Sequence, residues 1–203
     1  MQSPMVYIID DDPDMRDSLR WLLKTVGLQS LTFGTASEFL REFSAGDPAC
    51  VLLDVRMPGT SGLDLLEEMV RRGMEVPVIF ITAYADVPMA VRAMKSGAVE
   101  FIEKPFNGQV LLEKVQRSIE HDTERLGRHS ARATIQSKLK SLTEKEREVL
   151  GMIKDGRPNK DIASRLEITP RAVELRRASL MKKLGVRSLP DLFRVTIDHE
   201  ASA

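Results

Sequence analysis

The sequence predicts an α/β fold, a doubly wound five-stranded parallel sheet, joined by a linker to a smaller all-helical domain. Three observations lead there. Short apolar runs alternate with helical patterns over the first 120 of 203 residues, the order that βαβ units produce. Four of those runs end on chemically distinctive residues: Val6-Tyr7-Ile8-Ile9 on Asp10-Asp11-Asp12, Cys50-Val51-Leu52-Leu53 on Asp54, Val78-Ile79-Phe80-Ile81 on Thr82, and Val99 to Glu103 on Lys104-Pro105. Past residue 120 such runs stop and the charge changes sign. Residues 1–120 hold 12 Lys and Arg against 18 Asp and Glu, net −6; residues 121–203 hold 18 against 12, net +6. An acidic half joined to a basic half implies two domains with separate tasks, the second suited to a polyanion.

Taken in order, strands are expected near 5–10, 28–33, 49–54, 77–82 and 99–102. Helical spacing fills 13–26, 36–43, 61–72, 86–96 and 107–120. Leu19, Leu22, Leu23 and Val26 share one face of the first helix, with Pro13 near its start and Gly27 past its end. Residues 121–140 are polar and mixed in charge and read as a linker, helical or loose. Ile119, Leu126 and Ala133 recur every seven residues, but a series this short falls below what a coiled coil needs. Residues 141–203 read as helices only. Thr143 to Glu146 is a capping box, Gly156-Arg157-Pro158 a break, and Asn159 to Leu166 a short helix. Thr169 then caps a longer basic helix, with Pro170 at its first position and Gly185 at its end, and Ser188 to Ile197 supplies a fourth. A short helix, a turn and a longer basic helix form a helix-turn-helix candidate.

Composition narrows the class. The single cysteine, Cys50, excludes an intramolecular disulfide framework, and its apolar run makes it a core residue. No apolar stretch approaches the ~18 residues that span a bilayer, and Met1–Asp10 lacks the pattern of a signal peptide, so a cytoplasmic protein without membrane contacts is expected.

In an open α/β sheet, ligands gather outside the carboxyl ends of the strands. The tips of this one would bring together acidic oxygens, one hydroxyl and one ammonium. Carboxylates from two strands suit Mg2+, which keeps several waters. An aspartate beside such an ion can attack phosphorus to give an aspartyl phosphate, chemistry that needs little beyond charge neutralisation and positioning.

At these residues the chain resembles the receiver domain of two-component response regulators, over essentially all of 5–120. The motifs are Ile8-Ile9-Asp10-Asp11, Asp54-Val-Arg-Met-Pro58-Gly59, Thr82-Ala83 and Lys104-Pro105-Phe106. The resemblance implies a flavodoxin-like receiver with Asp54 as phosphoacceptor. Asp11 would bind Mg2+ directly, Asp10 through water, and Asp54 and the Arg56 carbonyl would share the ion. Thr82 and Lys104 would hold the phosphoryl oxygens, and Phe101 would be the switch aromatic. Asp12 reads as a solvated carboxylate at the start of a helix. Arg56 and Tyr84, each two residues past a site residue, would flank the path by which water attacks the phosphorus.

The C-terminal segment, about 139–200, resembles the LuxR/NarL-type helix-turn-helix. Leu142 to Leu150, Asn159-Lys160-Asp161-Ile162-Ala163, Ala172-Val173-Glu174 and Lys182-Lys183-Leu184 carry the likeness. With Asp86-Val87-Pro88-Met89-Ala90-Val91-Arg92-Ala93-Met94-Lys95, the whole looks like the FixJ-type subfamily. At ~100° per residue, Val173, Leu180 and Leu184 face a core while Glu174, Leu175, Ala178 and Lys182 point away. That outer face would enter the major groove, Glu174 towards a cytosine amino group and Leu175 towards a thymine methyl. Lys160, Arg171, Arg177 and Lys182 would contact phosphates. Arg176 departs from the family, which commonly has His or Tyr there.

Together these imply a transcription regulator activated when a sensor histidine kinase phosphorylates Asp54, with a receiver domain at 1–120, a linker at 121–140 and a DNA-binding domain at 141–203. Expected partners are that kinase, double-stranded promoter DNA, RNA polymerase and a second copy meeting through 86–104, where Val91 and Lys95 lie. Expected catalysis stops at self-phosphorylation from phosphodonors and self-dephosphorylation. Two rivals remain open: a phosphate-switched module whose basic domain grips protein or RNA, and an enzyme in its own right. For the second no further constellation is visible, since His121, His129 and His199 lack ligand spacing.

Overall fold

The computed structural model describes residues 3–83 and 86–200, without the side chains of Val195 and of residues 197–200. The chain divides into two compact units, one up to Gly127 and one from Arg128.

In the first unit, five parallel strands, β1 (Met5–Ile9), β2 (Gln29–Phe33), β3 (Ala49–Asp54), β4 (Val78–Thr82) and β5 (Glu100–Glu103), lie in the order β2-β1-β3-β4-β5. The helices α1 (Pro13–Thr25), α2 (Ala36–Glu42), α3 (Gly62–Arg71), α4 (Val87–Lys95) and the part of α5 (Gly108–Lys140) up to Gly127 connect or follow them. Successive strand residues point to opposite faces, so each buried strand feeds two cores. Tyr7, Ile9, Val51, Leu53, Val78 and Phe80 pack with α2, α3 and Ala93 of α4. Val6, Ile8, Cys50, Leu52, Ile79 and Ile81 pack with Leu19 and Leu23 of α1 and Leu111, Leu112, Val115 and Ile119 of α5. Burial pushes the Cys50 thiol up to about 12, the behaviour of a core residue.

Helix starts follow their capping chemistry. Asp12 accepts from Asp14 N at 2.9 Å ahead of Pro13, and Ser61 caps α3 by accepting from Asp64 N at 3.2 Å. Gly62 is fixed by space: a Cβ there would lie 2.1 Å from the Asp54 carbonyl oxygen.

The last helix of this series differs from expectation. A helix near 107–120 was expected to give way to a separate linker, helical or loose; instead α5 runs unbroken to Lys140, so the linker is helical and continuous with it. The cause lies partly in Asp122, which is buried; its carboxylate accepts from Ala49 N at 2.9 Å and from Arg125 Nε at 2.8 Å, while Arg125 also reaches Glu75 at 2.8 Å. The seven-residue series dissolves in the same helix, because Ile119 belongs to the sheet core and Ala133 is exposed.

The second unit contains α6 (Glu144–Lys154), α7 (Asn159–Arg165), α8 (Pro170–Leu184) and α9 (Leu189–Glu200) around Leu142, Val149, Leu150, Ile153, Ile162, Val173, Leu180, Leu184 and Leu192. The capping box at Thr143 and Glu146 is formed, and Gly185 ends α8 at φ +74°. Glu146 also binds α8, accepting from Lys183 Nζ and Ser179 Oγ, each at 2.7 Å. With the Lys183 ammonium foremost, then the Thr143 N–H and the Ser179 hydroxyl, these donors hold its carboxyl down at about 2.

Candidate functional site

Parallel strands place all their carboxyl ends at one edge, so β1, β3, β4 and β5 deliver Asp10, Asp54, Thr82 and Lys104 together. The side chains meet around Lys104. Its Nζ lies 2.8 Å from Asp10 Oδ2 and 2.9 Å from Asp54 Oδ1. Asp54 is buried and its second oxygen accepts from Arg56 N at 2.6 Å. Asp10 is buried too, with Oδ1 accepting from Asp12 N at 2.9 Å and its carbonyl accepting from Arg16 Nη1 at 2.6 Å. Thr82 is buried at the end of β4, and its carbonyl accepts from Lys104 N at 2.8 Å, tying the hydroxyl-bearing tip to the ammonium-bearing one.

Two carboxylates against one ammonium leave a net negative charge in a largely dehydrated place. Burial raises the Asp54 carboxyl above its ordinary value, with the Asp10 charge adding to this and Lys104 opposing it. Burial acts to lower the Lys104 ammonium, yet its hydrogen bonds to both carboxylates and their charges prevail and hold it above its ordinary value. The site therefore has a carboxylate that shares its ammonium with a neighbour, an arrangement that welcomes a further cation.

Among the described residues no three His, Cys, Asp or Glu side chains converge as a metal cluster. Mg2+ asks for less, since it commonly takes one or two carboxylates and fills its octahedron with water. The all-oxygen pair from Asp10 and Asp54 fits it, and the exposed Asp11 follows Asp10 in sequence. Asp12 is instead used as the cap of α1. Phe101 is half-buried on β5 and packs on Phe80, ring centroids 6.2 Å apart and planes tilted 45°. Tyr84 lies outside the described residues.

In the second unit, α8 buries Val173, Leu180 and Leu184 and exposes Arg171, Glu174, Leu175, Ala178 and Lys182. Leu175 is an apolar side chain left 59% exposed on that face. Arg171 Nη1 pairs with Glu174 Oε2 at 3.0 Å across the same face. Lys160 is exposed on α7. Arg177 stands differently from the expected phosphate contact: it is half-buried and donates to Asn159 Oδ1, bracing α8 against α7. Arg176 is half-buried on the flank of α8 that also carries Ser179 and Lys183.

Sequence reasoning missed three contributors and the second role of a fourth. Gly62 and Arg16 shape the backbone beside Asp54 and Asp10, Asp122 anchors the far end of β3, and Glu146 secures α8. The capping motif marked Glu146; the others carry no local signal, because each acts on a partner distant in the chain or seen only in three dimensions.

Residues 6–116 match the family described as response regulator receiver domain, and residues 140–196 that described as bacterial regulatory proteins, luxR family. The chain is 41% identical over 196 residues to the transcriptional regulatory protein FixJ of Azorhizobium caulinodans, covering 97% of this chain and 93% of that one. It is 40% identical over 192 residues to nodulation protein W of Bradyrhizobium diazoefficiens, with 95% and 85% covered. Among solved structures, that of the response regulator StyR matches with a TM-score of 0.91 at 38% identity, covering 97% of this chain and all of that one. Full-length FixJ from B. japonicum matches at 36% identity over all of both chains, with a TM-score of 0.59. No helix among the described residues is long and apolar enough to cross a membrane.

Proposed function

Because the chain belongs to the two-component response regulators with a LuxR-type DNA-binding domain, we propose that it is a transcription factor switched on by phosphorylation of Asp54. The observation that carries this reading is the buried Asp10–Lys104–Asp54 cluster at the strand tips.

A sensor histidine kinase is the donor. One Asp54 carboxylate oxygen attacks the phosphorus in line, the bond from phosphorus to the donor nitrogen breaks, and an acyl phosphate forms on Asp54. Lys104 has two acceptors within reach and can transfer its hydrogen bond from Asp54 to the incoming phosphoryl oxygens, while the Thr82 hydroxyl binds another. Asp54, Asp11 and the Arg56 carbonyl, with Asp10 through water, would hold Mg2+, which would supply charge neutralisation for the transferred group. The same site turns over phosphate from small phosphodonors and slowly loses it to water, with Arg56 crowding the water's approach. No other catalytic role is assigned.

Thr82 moving towards the phosphate opens space that Phe101 fills, and this biases the α4–β5 face between two packings. Val87, Val91 and Met94 on α4 and Val99 beside β5 are exposed apolar side chains of that face, which supports pairing of two receivers through 86–104. Pairing presents two α8 helices to a half-site pair. Glu174 and Leu175 read base edges, Lys160, Arg171 and Lys182 hold phosphates, and Ala178 permits close approach. Arg177 contributes by bracing α8. In functional terms the receiver is 1–120, the linker 121–140 and the DNA-binding domain 141–203. The regulator works in the cytoplasm and engages RNA polymerase at promoters.

Selecting genomic DNA on the full chain with Mg2+, with and without beryllofluoride, tests this reading. Paired half-sites should be recovered with beryllofluoride, and Asp54→Ala should lose that dependence. Equal recovery in both arms would refute the switch, and enrichment in neither would refute DNA reading.

A further inference from the structure

The turn between β1 and α1 is closed by more bonds than the capping of a helix requires. Asp10 N donates to the Phe33 carbonyl at 3.2 Å, Asp10 Oδ1 accepts from Asp12 N at 2.9 Å, and the Asp12 carbonyl accepts from Arg16 N at 3.1 Å. From the first turn of α1 the Arg16 side chain then reaches back, and its Nη1 donates to the Asp10 carbonyl at 2.6 Å. The residue is half-buried, and its guanidinium also borders the turn after β2, since a Cβ at Gly34 would stand 3.6 Å from the same Nη1. A cation brought to the acidic end of β1 opposes a second cation there, yet the short bond of this one goes to a backbone carbonyl.

That carbonyl belongs to the peptide joining Asp10 to Asp11. A planar peptide turns as a unit, so a donor fixed on its oxygen fixes ψ of Asp10 and φ of Asp11, and with them the point from which the exposed Asp11 side chain sets out. We propose that Arg16 is a positioning residue for the metal: its guanidinium holds the Asp10–Asp11 peptide in the orientation from which Asp11 reaches a divalent cation directly and Asp10 through water. The role rests on the Mg2+ reading of the strand tips given above. Three possible roles of Arg16 differ in what its removal does. If its charge mattered most, a dication would bind more tightly without it. If it only stapled α1 to β1, stability would change and affinity would not. If it holds the peptide, affinity falls, by the roughly 10–100-fold that groups just outside the ligand set commonly command.

Titration of Mg2+ into the metal-free full chain, followed by the backbone amide NMR shifts of residues 10–12 and 54–57, provides the test and shows in the same spectra that each variant is folded. Arg16→Met keeps an unbranched stem while removing the guanidinium. It should weaken Mg2+ binding roughly ten-fold, with amides away from the β1–α1 turn unchanged. Binding as tight as wild type, or tighter, would overturn the positioning role. Should Arg16→Met not fold, Gly34→Leu answers the same question: it leaves the Arg16 charge in place and crowds Nη1 from a backbone outside the left-handed region. It too should weaken binding, and wild-type affinity in it would overturn the proposal. The outcome for the metal itself is read separately, because a wild-type chain whose amides at 10–12 ignore Mg2+ would overturn the Mg2+ reading and this role with it.

Discussion

Single residues in this protein are set by how many partners they satisfy. Lys104 holds two carboxylates, Asp54 spends one oxygen on that ammonium and the other on a backbone N–H, and Glu146 serves a cap, a lysine and a serine at once. Glu146 has a measurable consequence. Its carboxyl lies at about 2 in the folded chain against an ordinary 4.5, so its contribution is complete above pH ~4.5 and is lost as pH falls towards 2, where the folded form must also take up the proton. The difference in stability of the helical unit between wild type and Glu146→Gln should be constant from neutral pH down to about 5 and shrink between about 4.5 and 2, as followed by helix melting at each pH. A difference that does not change over that range would remove Glu146 as the anchor of α8.

Elements inherit their roles from what is tied to their two ends. β3 carries Asp54 at its carboxyl end and, at its amino end, donates Ala49 N–H to the buried Asp122 of α5. That bond, with the Arg125 bridge to Glu75, fixes α5 on the sheet at the edge opposite the Asp10–Lys104–Asp54 cluster. Removing the carboxylate leaves a buried donor and a guanidinium without it, a loss on the order of 2–3 kcal/mol. Asp122→Ala should therefore speed hydrogen exchange in β3 and in α5 near residue 122, whereas Asp122→Asn keeps an acceptor for Ala49 and should cost less. Equal exchange in both variants and wild type would show the tie to be idle. The element boundaries themselves were legible where periodicity and caps agree, as at α1, α6 and α8. The reach of α5 was not, since a polar sequence reads as linker until one of its carboxylates is seen to be buried.

At the scale of the whole molecule, the −6 and +6 halves correspond to a sheet that gathers acids at its tips and a helical unit that exposes cations on α8 and α7. If two copies bind one operator, each phosphate contact counts twice in the salt dependence. Lys182→Ala should reduce the slope of log affinity against log salt by about 1.8 for the pair, at ~0.9 per contact. Glu174→Ala should change sequence preference with little change in slope. Filter binding over a salt series separates the two, and an unchanged slope for Lys182→Ala would remove it from the phosphate contacts. The sequence by itself determined the parallel sheet, the four tips that form the candidate site, the helix-turn-helix and the faces of α8, because strand alternation, helix periodicity and capping are local and repeat along the chain. Only the tertiary structure decided that Lys104 sits between Asp10 and Asp54, that Gly62 must lack a Cβ, that Arg177 braces α7 and that Asp122 is buried. Those depend on residues far apart in sequence meeting in a low-dielectric interior, where an unpaired charge or a misplaced methyl is costly and no local pattern records the partner.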